Sequence, residues 1–214
     1  MKKILIVGGS GGLGRQVTEL LKNKYTIHSV GSSEIDITNL KSCKEFFEKE
    51  DYEIVLNFAG INYDSFVHKI DESNMEDIDK MLQVNIYGTI NLVSSVLKQM
   101  RKKNYGRIIL ISSILSEKEI IGTSVYSSCK AFIDKFVKNT SLENIKKGIT
   151  VNSLQLGYFD GGMTYTIPEK NLLTIKESIG LQRFGKIEEL INAIEFLINT
   201  EYITGTNIKL NGGL

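Results

Sequence analysis

Two residues whose spacing suggests chemistry are Tyr126 and Lys130, which stand four positions apart in a stretch with helical apolar spacing. Side chains at i and i+4 share one face of a helix, so a phenol and an ammonium would lie about one turn apart. A free tyrosine has a pKa of about 10, and a neighbouring cation favours the phenolate. The pair therefore predicts a tyrosine with a lowered pKa that acts as a general acid–base. The alternative is an ordinary solvated helix face, which carries the same spacing without a function.

Two polar residues upstream, Ser113 and Asn85, extend this candidate site. Ser113 follows the apolar run over residues 107–111, which predicts a strand. Ligands of open α/β sheets bind at the carboxyl ends of the strands, so the serine is well placed, although a strand-end cap is the alternative role. Asn85 falls within a long helical pattern over residues 75–103, between apolar neighbours. A mid-helix asparagine is usually exposed, but apolar neighbours on both sides favour a buried amide with a function.

The chain opens with the strand–turn–helix pattern of a nucleotide site. A β-branched run over residues 3–7 leads into the glycine-rich turn, and helical spacing follows over residues 15–22. Glycines let the backbone approach a pyrophosphate, and the helix N-terminus supplies N–H groups and a positive dipole. The alternative is a tight loop without a ligand. The turn is Gly8-Gly9-Ser10-Gly11-Gly12-Leu13-Gly14.

The end of the second predicted strand, residues 26–30, bears on the choice of cofactor. NAD-binding folds usually place an acid here to bind the ribose 2′-OH, and this chain has Gly31, Ser32 and Ser33 instead. The missing acid leaves room for a 2′-phosphate with hydroxyls to receive it, which favours NADP(H). NAD(H) is the alternative, with Glu34 on the ribose if the loop is tighter.

Strands alternate with helices along the rest of the chain. This predicts an α/β fold, a Rossmann-type doubly wound parallel sheet with helices on both faces, in a single domain over residues 1–214. A short helix over residues 168–180 makes residues 157–180 a candidate substrate loop or lid. Thr38 is the predicted N-cap of the helix over residues 40–49. Further helices are predicted over residues 124–146 and 187–199, and further strands over residues 53–58, 149–154 and 207–210.

Composition narrows the function class. The 214 residues are 42% hydrophobic and 24% charged with a net charge of +1, so no electrostatic footprint indicates nucleic acid or a membrane. The apolar runs are too short to span a bilayer, and the early glycines interrupt the start of any signal peptide. Two cysteines suit a reducing cytosol, and we expect a cytoplasmic protein. Two histidines without matching ligands predict no metal site.

In this order and spacing the motifs resemble the short-chain dehydrogenase/reductase family, and most closely its 3-oxoacyl-acyl-carrier-protein reductase branch. The resemblance runs essentially from end to end of the chain. It rests on Gly8-x-x-x-Gly12-x-Gly14, Asn57-x-Ala59-Gly60, Asn85, Ser113, Tyr126-x-x-x-Lys130, Arg183-Phe184-Gly185-Lys186 and Ile203-Thr204-Gly205 through Gly212-Gly213.

The resemblance implies NADP(H)-dependent reduction of a carbonyl to a secondary alcohol by hydride transfer. Tyr126 would protonate the carbonyl oxygen, and Ser113 would orient it. Lys130 would lower the pKa of the phenol and bind the nicotinamide ribose. Asn85 would link Lys130 to solvent through a local helix distortion and a water. The implied cofactor contacts are Gly8, Ser10, Gly11, Gly12, Leu13, Gly14, Ser32, Ser33, Asp36, Ile37, Asn57, Ala59, Gly60, Tyr126, Lys130, Gly157 and Phe159.

The chain departs from the family pattern after the second strand. The segment between Val30 and Asp36 is too short for the usual second helix and third strand, so we predict six strands, one fewer than usual, in the order 2-1-3-4-5-6. Asp36 then matches the family's adenine-side aspartate, with a simple turn residue as the alternative. Gly11 stands where NADP-dependent members often carry a basic residue. Gly161 stands where a threonine often follows, with Thr164 as the alternative threonine.

The resemblance also implies partners. The substrate would be a small-molecule or carrier-bound carbonyl compound, and the helices near residues 85–100 and 131–142 would form a homodimer or homotetramer. Two alternatives remain: an NAD(H)-linked reductase of a keto-sugar nucleotide or small ketone, and a non-catalytic nucleotide-binding regulator. The regulator is disfavoured because a sensor needs no proton donor, and all four catalytic positions are present.

Overall fold

Six parallel strands form the centre of the protein, and the computed structural model describes all residues, 1–214. The strands are β1 (Lys3–Val7), β2 (Thr26–Val30), β3 (Ile54–Asn57), β4 (Gly106–Ser113), β5 (Ile149–Leu156) and β6 (Asn207–Leu210). Their order in the sheet is β2-β1-β3-β4-β5-β6, which confirms the predicted order. Every neighbouring pair is parallel, as expected when each strand returns to the sheet through a crossover connection.

Helices cover both faces of this sheet. They are α1 (Gly12–Leu21), α2 (Leu40–Lys49), α3 (Met75–Leu82), α4 (Gly88–Lys103), α5 (Ser124–Asn144), α6 (Glu169–Ser178) and α7 (Ile187–Asn199). Side chains alternate along β1: Leu5 and Val7 pack in one core with α2, α4 and α5, whereas Ile4 and Ile6 pack in the other with α1 and α7. The doubly wound fold predicted from the sequence is confirmed. None of the helices combines the length and apolar character needed to cross a membrane.

Two predicted helices and one predicted helix cap differ from the structure for local reasons. The first helix begins at Gly12 rather than at residue 15, since the last part of the glycine turn already has helical geometry. The helix predicted over residues 75–103 is divided by a π-helical segment, Gln83–Tyr87. The predicted Thr38 N-cap of α2 is wrong. The cap is Asn39, whose Oδ1 accepts hydrogen bonds from two N–H groups of the first turn at 2.9 and 3.2 Å.

The remaining ends shift by a few residues. The fourth strand runs over Gly106–Ser113 rather than residues 107–111, and the fifth ends at Leu156 rather than at residue 154. The third strand is shorter than predicted and covers Ile54–Asn57. The helix predicted to end at residue 146 ends at Asn144 and continues as a short 3₁₀ turn. These ends depend on pairing and capping, which a periodicity pattern does not contain.

The short connection after β2 replaces a whole helix and strand. The N–H groups of Glu34 and Ile35 both donate to Gly31 O at 3.2 Å, so the chain turns at once. Ile35 and Ile37 then bury their side chains in the core beside Val30. Because no further strand pairs with it, β2 is the outer strand of the sheet.

A buried polar network joins α5 to the carboxyl-end half of β5 and to the turn after β4. Asp134 on α5 is 7% exposed, and its two oxygens lie 2.9 Å from Ser153 Oγ and 2.6 Å from Gln155 Nε2. The same Gln155 amide donates to Ser116 Oγ at 2.9 Å and to Glu117 Oε1 at 3.0 Å. These bonds fix α5 relative to the strand ends where the candidate site lies.

We expect Asp134→Ala to destabilise the protein, because it removes a buried acceptor shared by Ser153 Oγ and Gln155 Nε2, although both donors keep other partners. The loss should be about 2 kcal/mol, which lowers Tm by roughly 4–8 °C for a chain of this size. Thermal unfolding followed by circular dichroism measures it. Glu48→Ala on α2 is the matched control, since Glu48 is exposed and makes no hydrogen bond or ion pair. Equal Tm values for the two variants would contradict a structural role for the network.

Candidate active site

Ser113 is the last residue of β4 and lies at the carboxyl edge of the sheet. Its Oγ accepts a hydrogen bond of 3.2 Å from Leu115 N–H and thereby caps the 3₁₀ turn Ile114–Ser116. The strand-end cap considered from the sequence is therefore present. This bond uses an oxygen lone pair, so the hydroxyl proton is still available to another acceptor. Capping and a role in binding are compatible.

Tyr126 and Lys130 lie in the first two turns of α5, and both are buried, at 8% and 4% exposure. Lys130 Nζ is 5.5 Å from the centroid of the Tyr126 ring, as the i, i+4 spacing predicts. The ammonium donates to Ile111 O on β4 at 3.0 Å, and Ser112 Oγ donates to Lys130 O at 3.3 Å. Two bonds to β4 thus hold this turn of the helix against the strand that carries Ser113.

Asn85 lies at the centre of the π-helical segment and is 1% exposed. Its amide nitrogen donates to Ile61 O at 2.8 Å and to Met81 O at 2.9 Å, whereas its buried Oδ1 accepts no hydrogen bond. A Cβ added at Gly60 would lie 2.9 Å from Asn85 Oδ1 and 3.5 Å from Lys130 Nζ. The unpaired oxygen and the ammonium therefore face one small space beside Gly60, which only a glycine keeps open.

Burial dominates the electrostatics of the pair. It raises the pKa of Tyr126, with further contributions from Asp64 and Cys129, and it lowers the pKa of Lys130 to about 8. The pKa of Tyr126 thus moves opposite to the direction predicted from the sequence. The reason is geometric: the Lys130 ammonium lies over the ring and donates to a carbonyl, so it does not offset the desolvation of the phenol. Tyr126 keeps its proton at neutral pH.

The glycine turn forms a cradle at the N-terminus of α1. Gly8 has φ +77°, and a Cβ there would lie 2.6 Å from Ala59 N. A Cβ at Gly12 would lie 2.4 Å from the Cα of Gly162, in the loop after β5. The N-cap, Gly11, has no side chain, so no side-chain acceptor satisfies the N–H groups of the first turn. Gly12, Leu13 and Gly14 therefore offer these donors to an anion.

The outer end of β2 is polar and exposed. Ser10, Ser32 and Ser33 are all exposed, as a phosphate-binding role requires. Glu34 Oε2 accepts a hydrogen bond of 2.7 Å from Gly31 N–H and one of 3.2 Å from Ser33 Oγ. The Glu34 carboxylate thus folds back over the end of β2. A tight loop of this kind is the condition under which Glu34 would bind the ribose of NAD(H).

Three further predicted cofactor contacts lie at or beyond the carboxyl ends of β2 and β3, and their side chains differ in exposure. Asp36 is exposed, and its Oδ1 accepts from Thr38 N–H and Oγ1 at 3.0 and 2.7 Å, so it serves as a turn residue with one oxygen free. The side chain of Ile37 is buried in the core, which leaves its backbone for a ligand. Asn57 is buried, and its Oδ1 accepts from Ala59 N–H at 3.1 Å.

The loop after β5 begins at Gly157 and crosses to α1. Gly157 N–H donates to Leu210 O at 2.8 Å, and the side chain of Phe159 is 3% exposed and packs on Gly185. Phe159 therefore offers its backbone, not its ring. Gly161 lies against Gln16, where an added Cβ would be 2.5 Å from Nε2. Thr164, the alternative to the missing threonine, is 6% exposed.

Sequence reasoning missed Asp64 and Tyr158 as individual residues. Burial is the main cause that raises the pKa values of Tyr158 and Tyr126, and the charge of Asp64 raises both further. The segment that carries Asp64 is held on both sides: Asn85 binds Ile61 O, and Ser65 N–H donates to Gly122 O at 2.8 Å. No motif or periodicity marks Asp64 and Tyr158, because only the fold brings the Asp64 carboxylate near the phenols of Tyr126 and Tyr158.

Comparisons with known proteins show similarity over nearly the whole chain. A family model described as Enoyl-(Acyl carrier protein) reductase matches residues 6–214. The 3-oxoacyl-[acyl-carrier-protein] reductase FabG of Aquifex aeolicus (strain VF5) is 32% identical over 218 residues, covering 99% of this chain and 86% of that protein. Carbonyl reductase family member 4 of Xenopus laevis is 31% identical over 238 residues, covering 100% and 98%. The solved structure of ElxO with NADP bound superposes with a TM-score of 0.88 at 25% identity, covering 100% and 98%.

The contact between Gly12 and Gly162 leads to a prediction about the cradle. Gly12→Ala places a methyl group inside the backbone of the Gly162 loop, so we expect dinucleotide binding to weaken at least tenfold, about 1.4 kcal/mol. Glu48→Ala, on the exposed face of α2 and away from the cradle, is the control and should change affinity by less than threefold. Fluorescence titration measures both. Equal losses in the two variants would show that the Gly12–Gly162 approach does not shape the cradle.

Proposed function

Because the chain belongs to the short-chain dehydrogenase/reductase family of NAD(P)-dependent oxidoreductases, we propose that it reduces a 3-oxoacyl or related keto group to a secondary alcohol. The observation that supports this proposal is the arrangement around Lys130. Its ammonium lies over the Tyr126 ring, faces Asn85 Oδ1 across the space at Gly60, and donates to the strand that ends at Ser113. Relatives named as 3-oxoacyl-[acyl-carrier-protein] reductases support the choice of substrate class.

In this proposal Tyr126 is the proton donor to the carbonyl oxygen. Burial raises the pKa of the phenol, so the protonated form that a donor needs is present throughout the neutral range. The hydroxyl proton of Ser113 is not used by its cap and donates to the same carbonyl oxygen. The two hydroxyl groups come from α5 and from the end of β4, which the bonds at Lys130 hold together. Their combined donation stabilises the negative charge that develops on that oxygen.

Lys130 and Asn85 supply the proton that Tyr126 gives up. Asn85 Oδ1 is an acceptor without a partner, and Lys130 Nζ lies across the space beside Gly60. A water in that space would accept from the ammonium and donate to the amide oxygen, which satisfies both groups. Lys130, with its pKa lowered to about 8, can release and regain a proton near neutral pH.

The residues at the cradle fit an NADP(H) molecule. Gly8, Gly12 and Gly14 lie so close to neighbouring backbone that no Cβ fits there, and the uncapped N-terminus of α1 presents N–H groups for the pyrophosphate. Ser10, Ser32 and Ser33 supply hydroxyl groups for a 2′-phosphate once Glu34 turns outward from Gly31 N–H. When bound, the cofactor supplies the hydride. ElxO, which resembles this chain in fold and is described with NADP bound, supports this choice.

One observation favours NAD(H) as the second candidate. Glu34 already holds its carboxylate at the end of β2, where it could accept from a ribose hydroxyl but would repel a phosphate. In that case the enzyme would be an NAD(H)-linked reductase, and Ser32 and Ser33 would be ordinary turn residues whose hydroxyl groups bind no phosphate.

The substrate would enter beneath residues 157–180, which we assign as a substrate loop and lid. Helix α6 in this segment has no buried residue, so little packing opposes its movement. Ile179, which follows it, is 2% exposed and anchors the segment at its end. A small or carrier-bound carbonyl compound fits this arrangement, since the reacting end would reach Tyr126 while the remainder extends past the lid.

We also assign the groove between α4 and α5 to a homodimer contact, within a dimer or tetramer. The groove has a volume of about 370 Å³, and half of its ten lining side chains are apolar, among them Val93, Leu97, Phe132 and Phe136. The two phenylalanine rings stack with centroids 5.4 Å apart. A two-fold axis along such a groove would pair it with itself, which is the commonest way for a protein to form a dimer.

The function is tested by reduction of an acetoacetyl thioester with NADPH, followed by absorbance of the nicotinamide. We expect Tyr126→Phe to lower kcat/KM by a factor of 10²–10⁴, because the proton donor is lost. Tyr202→Phe, at a fully exposed position, is the matched control and should keep wild-type activity. Wild-type protein that binds NADPH but reduces no carbonyl would overturn the proposal. A preference for NADH over NADPH would favour the second candidate, with Glu34 on the ribose.

The lowered pKa of Lys130 predicts the pH dependence of reduction. The ammonium form is present below pH 8 and is lost as the pH rises through about 8, so the rate should fall there. Lys130→Arg keeps a charge that does not titrate in this range, so this limb should move to higher pH even if the rate is lower. An unchanged limb in Lys130→Arg would assign the titration to another group.

A further inference from the structure

A second cleft lies between α2 and α4, away from the candidate active site. Its lining comes from the carboxyl-terminal parts of the two helices, close to the points where β3 and β4 begin, so it opens toward the amino edge of the sheet. The active-site residues lie at the opposite edge. The cleft has a volume of about 430 Å³, and it is lined by Lys44, Phe47, Glu48, Asp51, Ser95, Lys98, Gln99, Lys102 and Lys103.

Positive charge predominates in this cleft. Four lysines line it against two carboxylates, and only Lys103 has an ion pair, with Asp51 at 2.9 Å. Lys102 and Lys103 lie in the last turn of α4, where the helix dipole favours cations. The dipole does not account for Lys44 and Lys98, which lie outside the last turns of their helices. Lys98 and Lys102 stand four positions apart on α4, and like charges at that spacing destabilise a helix unless an anion lies between them.

Two buried polar groups in the cleft have no partner. Gln99 is 9% exposed, and its Oε1 accepts a hydrogen bond of 3.1 Å from Tyr52 N–H. That bond fixes the orientation of the amide, so Nε2 faces away from Tyr52, and it finds no acceptor. Ser95, one turn earlier and 3% exposed, also leaves Oγ unpaired. A buried donor without an acceptor costs about 1–3 kcal/mol, so these groups fit a ligand that brings oxygen atoms.

We propose that this cleft binds a phosphate group, neutralised by Lys44, Lys98 and Lys102, and that Gln99 Nε2 and Ser95 Oγ, which are closed to solvent in the free protein, turn toward it. A phosphate dianion carries several acceptor oxygens for the two buried donors, and its charge balances the excess of lysines over carboxylates. Lys98 and Lys102 lie one turn apart on α4 and would reach it from the same side. The volume exceeds that of the bare ion, which leaves room for the organic part of a phosphate monoester. The chemistry is shared by inorganic phosphate and by such a monoester.

The test uses the full chain saturated with NADPH, so that the dinucleotide cradle is not the site measured. Inorganic phosphate and glycerol 3-phosphate are titrated by calorimetry and by ¹H–¹⁵N spectra, with sodium chloride at matched ionic strength as the blank. We expect saturable binding, and we expect the side-chain NH₂ resonances of Gln99 to shift with phosphate but not with chloride. Tighter binding of one of the two probes identifies the source as a free ion or a monoester.

Lys98→Gln/Lys102→Gln should weaken this binding at least tenfold. Both positions are exposed or lie at the rim, so the variant should fold, and its NADPH affinity should be unchanged. Lys146→Gln/Lys170→Gln removes the same charge from exposed positions elsewhere and should bind phosphate as the wild type does. Gln99 resonances that do not respond, or equal phosphate affinities in the two double variants, would overturn the proposal.

Discussion

The constraint on which the site depends is the burial of one ammonium group. Lys130 is 4% exposed, and a buried charge is tolerated only where polar partners replace water. Its partners are a carbonyl of β4 and the face of the Tyr126 ring, and the unpaired oxygen of Asn85 faces it across the gap at Gly60. The π-helical segment places that oxygen in the gap, and the first turns of α5 bring the tyrosine. The end of β4, the π-helical segment and the first turns of α5 are therefore arranged around the Lys130 ammonium.

A second consequence of burial is the division of labour between the two titrating groups. In water a phenol and an ammonium have similar pKa values, near 10. Burial moves them apart, upward for Tyr126 and downward for Lys130, because in each case it disfavours the charged form. The tyrosine is thereby kept as an acid, and the lysine becomes the group that exchanges protons near neutrality. A pair with such separated values suits the transfer that we propose, from lysine to tyrosine to substrate.

Much of this fold could be predicted from the sequence, because its signals are local. The spacing of apolar residues gives helices over 40–49 and 187–199, and the six residues between β2 and Ile37 leave no room for another helix and strand. The assignment of Asn39 rather than Thr38 as a cap could not be predicted, since the two are adjacent and both suited to it. The pKa of Tyr126 and the approach of Asp64 depend on burial and on contacts between distant segments, which no single stretch contains.

The contact between Gly12 and Gly162 also affects how the protein is made. These glycines are separated by most of the chain, yet their backbones touch at the phosphate cradle. Chains emerge from the ribosome N-terminus first, at about 5–20 residues per second, so the glycine turn exists for several seconds before its opposite wall. The N-terminal half contains β1 and α1 but not the wall at Gly162. A cofactor in the cradle can therefore stabilise fully only a chain that extends past Gly162.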